Sequence, residues 1–307
     1  MMANVSVIIP THNRAQILNN SVNSVLSQTY RDFELLIIDD CSTDNTSEVL
    51  EGIKDERARV IKNPSNRGIA AVRNIGIMNS RGRYIAFLDD DDEWLPDKLE
   101  KQLNIIENSP AGLGCVYTGC MIIDMENNDV YQTSIPQYRN NVLTQLLMKN
   151  FITTSTTMIK KSCFDKAGPF DEAIPYGEDY DMWIRIAGDF EFDYIKEPLV
   201  KYRIHKNSIS TNNAVLIKGL EMILAKHEVL FSSDKRAYSN FLLVLGVAYC
   251  YIGKTKEGIK VFVRAIKLYK FDARLYYNLA LAILGAETFI KLKEAKRHYF
   301  PLRIKAG

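Results

Sequence analysis

Five apolar residues, Tyr84-Ile85-Ala86-Phe87-Leu88, run straight into four aspartates, Asp89-Asp90-Asp91-Asp92. The run is too short for a helix and has the length of a buried strand. Adjacent carboxylates repel one another, so a folded chain must neutralise them or leave them in water. A divalent cation does the first, because hard cations prefer carboxylate oxygens. A solvated acidic loop does the second. The position favours a cation site, since ligands of open α/β sheets bind where strands end at their carboxyl edge. Pro96 suits the first turn of a following helix, which Asp92 would cap, leaving Glu93 as a loop acid and Trp94 as a core aromatic.

The preceding segments repeat the arrangement. Val5-Ser6-Val7-Ile8-Ile9-Pro10 reads as a first strand followed by Thr11-His12-Asn13-Arg14, and Phe33 to Ile38 as a second ending in Asp39-Asp40. Between them Val22, Val25 and Leu26 recur at helical spacing. Ser42 can cap a helix running through Val49 and Leu50. Val60-Ile61 is a short third strand, and Asn66-Arg67-Gly68 turns into a helix marked by Ile69, Val72, Ile75 and Gly76. Strands alternating with helices predict an α/β fold with a mainly parallel sheet. The loop after strand one, Asp39-Asp40 and the aspartate run then share one rim, where a nucleotide would bind. It is not a dinucleotide fingerprint: strand one runs into Pro10-Thr11-His12-Asn13, with no G-x-G-x-x-G and no P-loop in the chain. A cation on the aspartates would hold a diphosphate instead.

In the second half, Val116 to Ile123 and Thr153 to Ile159 read as strands, Gly168-Pro169-Phe170-Asp171 as a turn, and Pro198 to Ile204 as an edge strand before His205. A second acidic island, Gly177-Glu178-Asp179-Tyr180-Asp181, predicts a helix from about Glu178 with Met182, Trp183 and Ile186 inward. Its acids either merely complement the positive end of the helix dipole or include a general base.

The net charge of +2 gives no pull on nucleic acid, and 47% hydrophobic with 25% charged residues is ordinary for a soluble globular protein. Five cysteines without a CxxC pair suggest neither a disulfide framework nor a zinc site, and fit a reducing cytosol. Met1-Met2-Ala3-Asn4 lacks the basic stretch of a signal peptide. No run approaches the roughly 20 apolar residues of a membrane span. A cytoplasmic protein is expected, bound at most to the inner face of the plasma membrane.

Taken in order, these segments resemble the family 2 inverting glycosyltransferases of GT-A fold. The carriers are Val5 to Asn13, Ile37 to Asp44, Asn66-Arg67-Gly68 with Ala71-Val72-Arg73-Asn74, Phe87 to Asp92, Gly177 to Trp183, and Tyr202-Arg203-Ile204-His205. The resemblance covers roughly residues 4 to 210 and implies a Rossmann-like mixed, mainly parallel sheet flanked by helices. It implies that Pro10, Thr11, His12, Asp39 and Asp40 hold the nucleotide base and ribose, with Arg67, Gly68 and Arg73 lining the pocket. The D-x-D signature falls on Asp89 and Asp91, with Asp90 between them on the nucleotide side; four acids leave the register open by one residue. Asp91, Asp89 and His205 are then the expected ligands of Mn2+ or Mg2+. Asp179, beside Glu178, matches the general base. The implied partners are a nucleotide-sugar donor, UDP above all, and a saccharide or lipid-linked acceptor of cell-surface polysaccharide or glycoconjugate assembly.

From about residue 212 the character changes to all-α. Leu242, Leu245-Gly246, Tyr249, Gly253, Gly258, Phe262 and Ala265 follow a tetratricopeptide pattern that Tyr276, Leu279 and Ala280 restart 34 residues later. Gly258 stands where alanine is usual. One repeat and a part cannot stand alone, so it must pack on the catalytic domain, on flanking helices or on a partner. The expected division is a catalytic domain at 1–211 and a tetratricopeptide-like region at 212–307. Lys291, Lys293, Lys296, Arg297, Arg303 and Lys305 interleave with Phe289, Leu292, Tyr299 and Phe300. They form a solvated helix face or a peripheral contact with anionic lipid. Two other functions compete: a phosphoacceptor signalling module, and a degenerate transferase domain acting as a scaffold through its helices.

Overall fold

The computed structural model describes residues 3–124, 130–204 and 213–299. Strands β1 (Val5–Thr11), β2 (Phe33–Asp39), β3 (Ala58–Lys62) and β4 (Tyr84–Phe87) alternate with helices α1 (Leu18–Leu26), α2 (Thr46–Gly52) and α3 (Ile69–Asn79). They form the parallel ladder β3-β2-β1-β4. Every residue of β1 and β2 is buried, as strands covered on both faces require, and their apolar sequences carry no alternation. Pro10 is tolerated inside β1 because pairing with β4 ends at Ile8–Phe87. Its missing N–H faces a side where the ladder has stopped.

The chain continues through β5 (Glu93–Trp94), α4 (Lys98–Glu107), β6 (Leu113–Asp124), β7 (Val130–Ser134), α5 (Leu143–Met148), a 3-10 turn (Thr154–Thr156), β8 (Thr157–Lys160), α6 (Ser162–Ala167), α7 (Glu178–Asp189) and β9 (Glu191–Ile204). The sheet has nine strands in the order β3-β2-β1-β4-β8-β6-β9-β5, with β7 on β6. β5, β7 and β8 run against the others, so the sheet is mixed and mainly parallel, as expected of a GT-A fold.

Five local expectations are corrected. Pro198 to Ile204 is not an edge, because β5 pairs with β9 at Glu93–Lys201 and Trp94–Val200. Glu93 is thus a strand residue, paired with Lys201 at 3.0 Å and Arg203 at 2.5 Å. Asp92 caps no helix: α4 begins at Lys98, Asp97 holds the cap position, and Pro96 lies outside the first turn. Ser42 lies four residues before the start of α2 at Thr46, and its hydroxyl accepts the Asn13 N–H instead.

Six helices follow: α8 (Asn213–Lys226), α9 (Glu228–Ser233), α10 (Lys235–Tyr251), α11 (Thr255–Leu268), α12 (Ala273–Ile283) and α13 (Ala286–Tyr299). One apolar cluster runs from Ile8 and Phe87 in the sheet through Tyr180 and Trp183 in α7 to Phe241, Phe262 and Phe289 in the helices. Tyr180 stacks on Phe241 at 6.4 Å, and Asn240 donates to the Met148 carbonyl at 2.6 Å. Phe289 is fully buried beside Tyr251, so it cannot serve a lipid-facing surface. Among the described residues no helix is long and apolar enough to cross a membrane.

Candidate active site

The carboxyl ends of β1, β2 and β4 meet at one rim. Asp40, just past β2, is buried, and its carboxylate accepts from Asn63 Nδ2 (2.8 Å) and from the N–H groups of Arg67 (3.0 Å) and Gly68 (2.9 Å). Asp40 therefore fixes the Arg67-Gly68 turn against the sheet, while Arg67 Nη2 reaches Glu172 at 3.3 Å. Asp39, also buried, accepts the Ser42 N–H at 3.0 Å. His12 Nδ1 lies 2.8 Å from the Asp40 carbonyl. A carbonyl only accepts, so the ring proton sits on Nδ1, and Nε2 accepts from the Asn13 amide at 3.1 Å. Asn13 and Cys41 both hold positive φ, 53° and 62°. Such backbone strain gathers at functional sites.

The four aspartates have different fates. Asp92 is fully buried, and its carboxylate accepts from Ser155 Oγ (2.5 Å) and the Arg203 N–H (3.0 Å). Ser155 Oγ also accepts the Asp89 N–H at 3.1 Å, and the Trp94 indole donates to the Ser155 carbonyl at 2.8 Å. Burial, then Asp91 and Asp89, push the Asp92 carboxyl well above the usual range. Asp90 is buried too, its carboxylate 3.7 Å from Arg14. Burial lifts it to about 7, against the Thr11 hydroxyl and the Arg14 cation. Tyr202 feels the same cluster: burial first, then Asp92, Asp89 and Asp91, raise its phenol. The repulsion among the four acids is thus relieved in part by proton uptake, because burial penalises the charged form.

Asp89 is relieved differently. Arg73, on α3 and buried, donates from Nη2 to Asp89 at 2.9 Å and from Nη1 to Glu178 at 2.5 Å. Burial disfavours the charged guanidinium, and the charges of Asp89, Glu178 and Asp179 outweigh it and raise its pKa. Arg73 thereby ties the end of β4 to the start of α7. Met182, Trp183 and Ile186 of α7 are fully buried, as the spacing predicted, which aims the first turn at the rim. There Asp179 accepts from Thr154 Oγ1 (3.1 Å) and from the Tyr180 N–H (2.6 Å). Burial and the neighbouring Glu178 raise its carboxyl to about 7, with Arg73 and the two donors opposing. A half-buried carboxylate that titrates near neutrality suits proton abstraction.

Among the described residues no three His, Cys, Asp or Glu groups converge as a cation site, and His205 lies outside the described residues. Three supporting residues escaped the sequence: Thr154, Ser155 and Arg203. Thr154 and Ser155 lie in the hydroxyl run Thr153-Thr154-Ser155-Thr156-Thr157, expected as part of a strand from Thr153 but forming a 3-10 turn over Thr154–Thr156 before β8 begins at Thr157; Arg203 lies in the Tyr202 to His205 segment that carries the resemblance, which assigns it no role.

Residues 6–168, more than half of the chain, match the family described as glycosyl transferase family 2. The chain belongs to that family. This glycosyltransferase is 33% identical over 211 residues to the Escherichia coli UDP-Glc:alpha-D-GlcNAc-diphosphoundecaprenol beta-1,3-glucosyltransferase WfgD, covering 68% of this chain and 80% of that one. In fold it is similar to Staphylococcus aureus TarS 1–349 in complex with UDP-GlcNAc, with a TM-score of 0.65, 16% identity, and coverage of 96% and 92%. Of the longer TarS chain it spans 53%. It is also similar to the mannosyltransferase PcManGT of Pyrobaculum calidifontis in complex with GDP-Man and Mn2+, with a TM-score of 0.64, 16% identity, and coverage of 98% and 82%.

Proposed function

We propose that this enzyme moves a sugar from a UDP-linked donor to an acceptor hydroxyl with inversion, in the assembly of a cell-surface polysaccharide or glycoconjugate. One observation carries the proposal: Asp179, lifted to about 7, lies one residue from the Glu178–Arg73–Asp89 bridge that leads to the aspartate run. A base and a diphosphate-binding rim are thereby adjacent. As the acceptor oxygen bonds to the anomeric carbon, its proton passes to Asp179. The carbon–oxygen bond to the diphosphate breaks, and its electron pair leaves with the nucleoside diphosphate. Attack opposite the leaving group inverts the carbon. Glu178 holds Arg73 in place and acts through it.

Pro10, Thr11, His12, Asp39, Asp40, Arg67 and Gly68 would frame the base and ribose. Arg73, Asp89 and Asp90 would flank the diphosphate. Asp89 and Asp91 are the partly exposed acids of the run, and their hard oxygens fit Mn2+ or Mg2+, with His205 as a third ligand. Bound there, the cation would neutralise charge growing on the leaving diphosphate. UDP is favoured as carrier by the WfgD and TarS donors, and a lipid-linked acceptor by the diphosphoundecaprenol in the WfgD name. We take α10 to α13 as tetratricopeptide-like: Gly246 and Gly258 lie where α10 and α11 cross, each with no room for a further carbon.

Asp179→Asn should lower transfer by about 10²–10⁴-fold, with UDP affinity in manganese unchanged by calorimetry. An equal loss of UDP binding would remove Asp179 from the chemistry.

A further inference from the structure

A group of cations without ion-pair partners among the described residues lies at the opposite end of β4 from the aspartates. Arg81, Gly82, Arg83, Tyr84, Lys160, Lys161, Ser162 and Asp165 line a cavity of ≈ 370 Å³. That volume lies at the lower end of small-ligand sites, roughly 300–1,000 Å³. β4 and β8 are antiparallel, with Tyr84 opposite Lys160, so the start of one strand and the end of the other bring two arginines and two lysines to one corner. Asp165 is the only acid in the lining. Among the described residues none of the four cations has an ion pair; Lys161 Nζ donates to the Ser80 carbonyl at 2.7 Å, and Arg83 lies over the Tyr84 ring.

The corner is rigid, and polar groups hold it. Ser6 Oγ accepts the N–H groups of Arg81 (3.2 Å) and Gly82 (2.9 Å) and donates to Glu34 at 2.6 Å. Glu34 also accepts the Arg81 N–H at 2.6 Å. The Lys161 N–H donates to the Arg83 carbonyl at 2.8 Å. Gly82 is obligatory, since a Cβ there would stand 2.6 Å from the Ser6 nitrogen. Glu34, a buried acid, makes these bonds and pairs with Arg59 at 3.9 Å. The backbone that carries both arginines is therefore fixed before any ligand arrives, which spares the ligand the cost of ordering it.

We propose that this cavity is a second anion site, distinct from the donor rim, that takes a phosphate-bearing group of about diphosphate size. Planar guanidinium forks and ammonium points are the groups that recognise phosphate oxygens. The test is calorimetry of the full chain with inorganic tripolyphosphate in EDTA, so that no cation can draw phosphate to the aspartates. Wild type should bind saturably at one site, and more weakly as salt rises. The Arg83→Gln/Lys160→Gln double variant should bind at least about tenfold more weakly, with UDP binding in manganese unchanged as the control for folding. Absence of saturable binding to wild type, or equal affinity in the variant, would overturn the proposal. Co-sedimentation with phosphatidylglycerol vesicles separates the sources. Sedimentation of wild type lost in the variant assigns a lipid headgroup; tripolyphosphate binding without sedimentation assigns a soluble phosphate.

Discussion

Asp179 receives two hydrogen bonds and has one like-charged neighbour, and the balance leaves it near 7. The Thr154 bond is the part that can be removed without touching the backbone. A hydrogen bond to the charged form lowers a carboxyl pKa, so Thr154→Val should raise it above about 7. As the proposed base, Asp179 acts deprotonated, and the acid limb of kcat/KM should therefore move to higher pH while the plateau stays close to wild type. An unmoved limb would show that another group sets it. The sequence pattern marks Asp179 because its motif is local. Arg73 illustrates what stays hidden: its partner Glu178 is 105 residues away, and nothing at Arg73 itself names that partner. Asp92 is the same case reversed. Its local surroundings suggest a helix cap, while its real partners, Ser155 and Arg203, are 63 and 111 residues distant.

At the scale of elements, α8 sets the place of α7. Gly219 of α8 packs against the loop before α7, and a Cβ there would stand 2.1 Å from the Tyr176 carbonyl oxygen. Helix propensity alone would make Gly219→Ala stabilising by up to about 1 kcal/mol. The backbone clash reverses that expectation: the variant should melt lower and lose kcat, because displacing Tyr176 displaces Asp179. A raised melting temperature with full activity would show that the loop yields freely. The strands of the first half were legible because continuous apolar runs between turn residues admit few other structures. β5 was not, since two residues, Glu93 and Trp94, carry no period, and without it Pro198 to Ile204 reads as an edge. His227 was equally hidden. It lies between α8 and α9 and meets the fully buried Asp181 of α7 at 2.8 Å, a contact with no sequence pattern.

For the whole molecule, the helices after the sheet are part of its core. Phe241 of α10 lies 4.7 Å from Phe231 and stacks on Tyr180 of α7. Losing one such buried aromatic costs about 3–5 kcal/mol, against total stabilities of about 5–15 kcal/mol. A chain ending at Ser233 should therefore unfold at markedly lower urea and lose transfer, measured by circular dichroism and a donor-hydrolysis assay. An unchanged midpoint would make the helices an appendage.

Arg73 has one more consequence. A single guanidinium serves the acid at the end of β4 and the acid at the start of α7, so neither can change alone without leaving a buried charge half-answered. In evolutionary terms Asp89, Arg73 and Glu178 are epistatic: the cost of altering one depends on the state of the other two. A change at the end of β4 is therefore felt at the start of α7, and a lineage that loses one member has reason to lose all three.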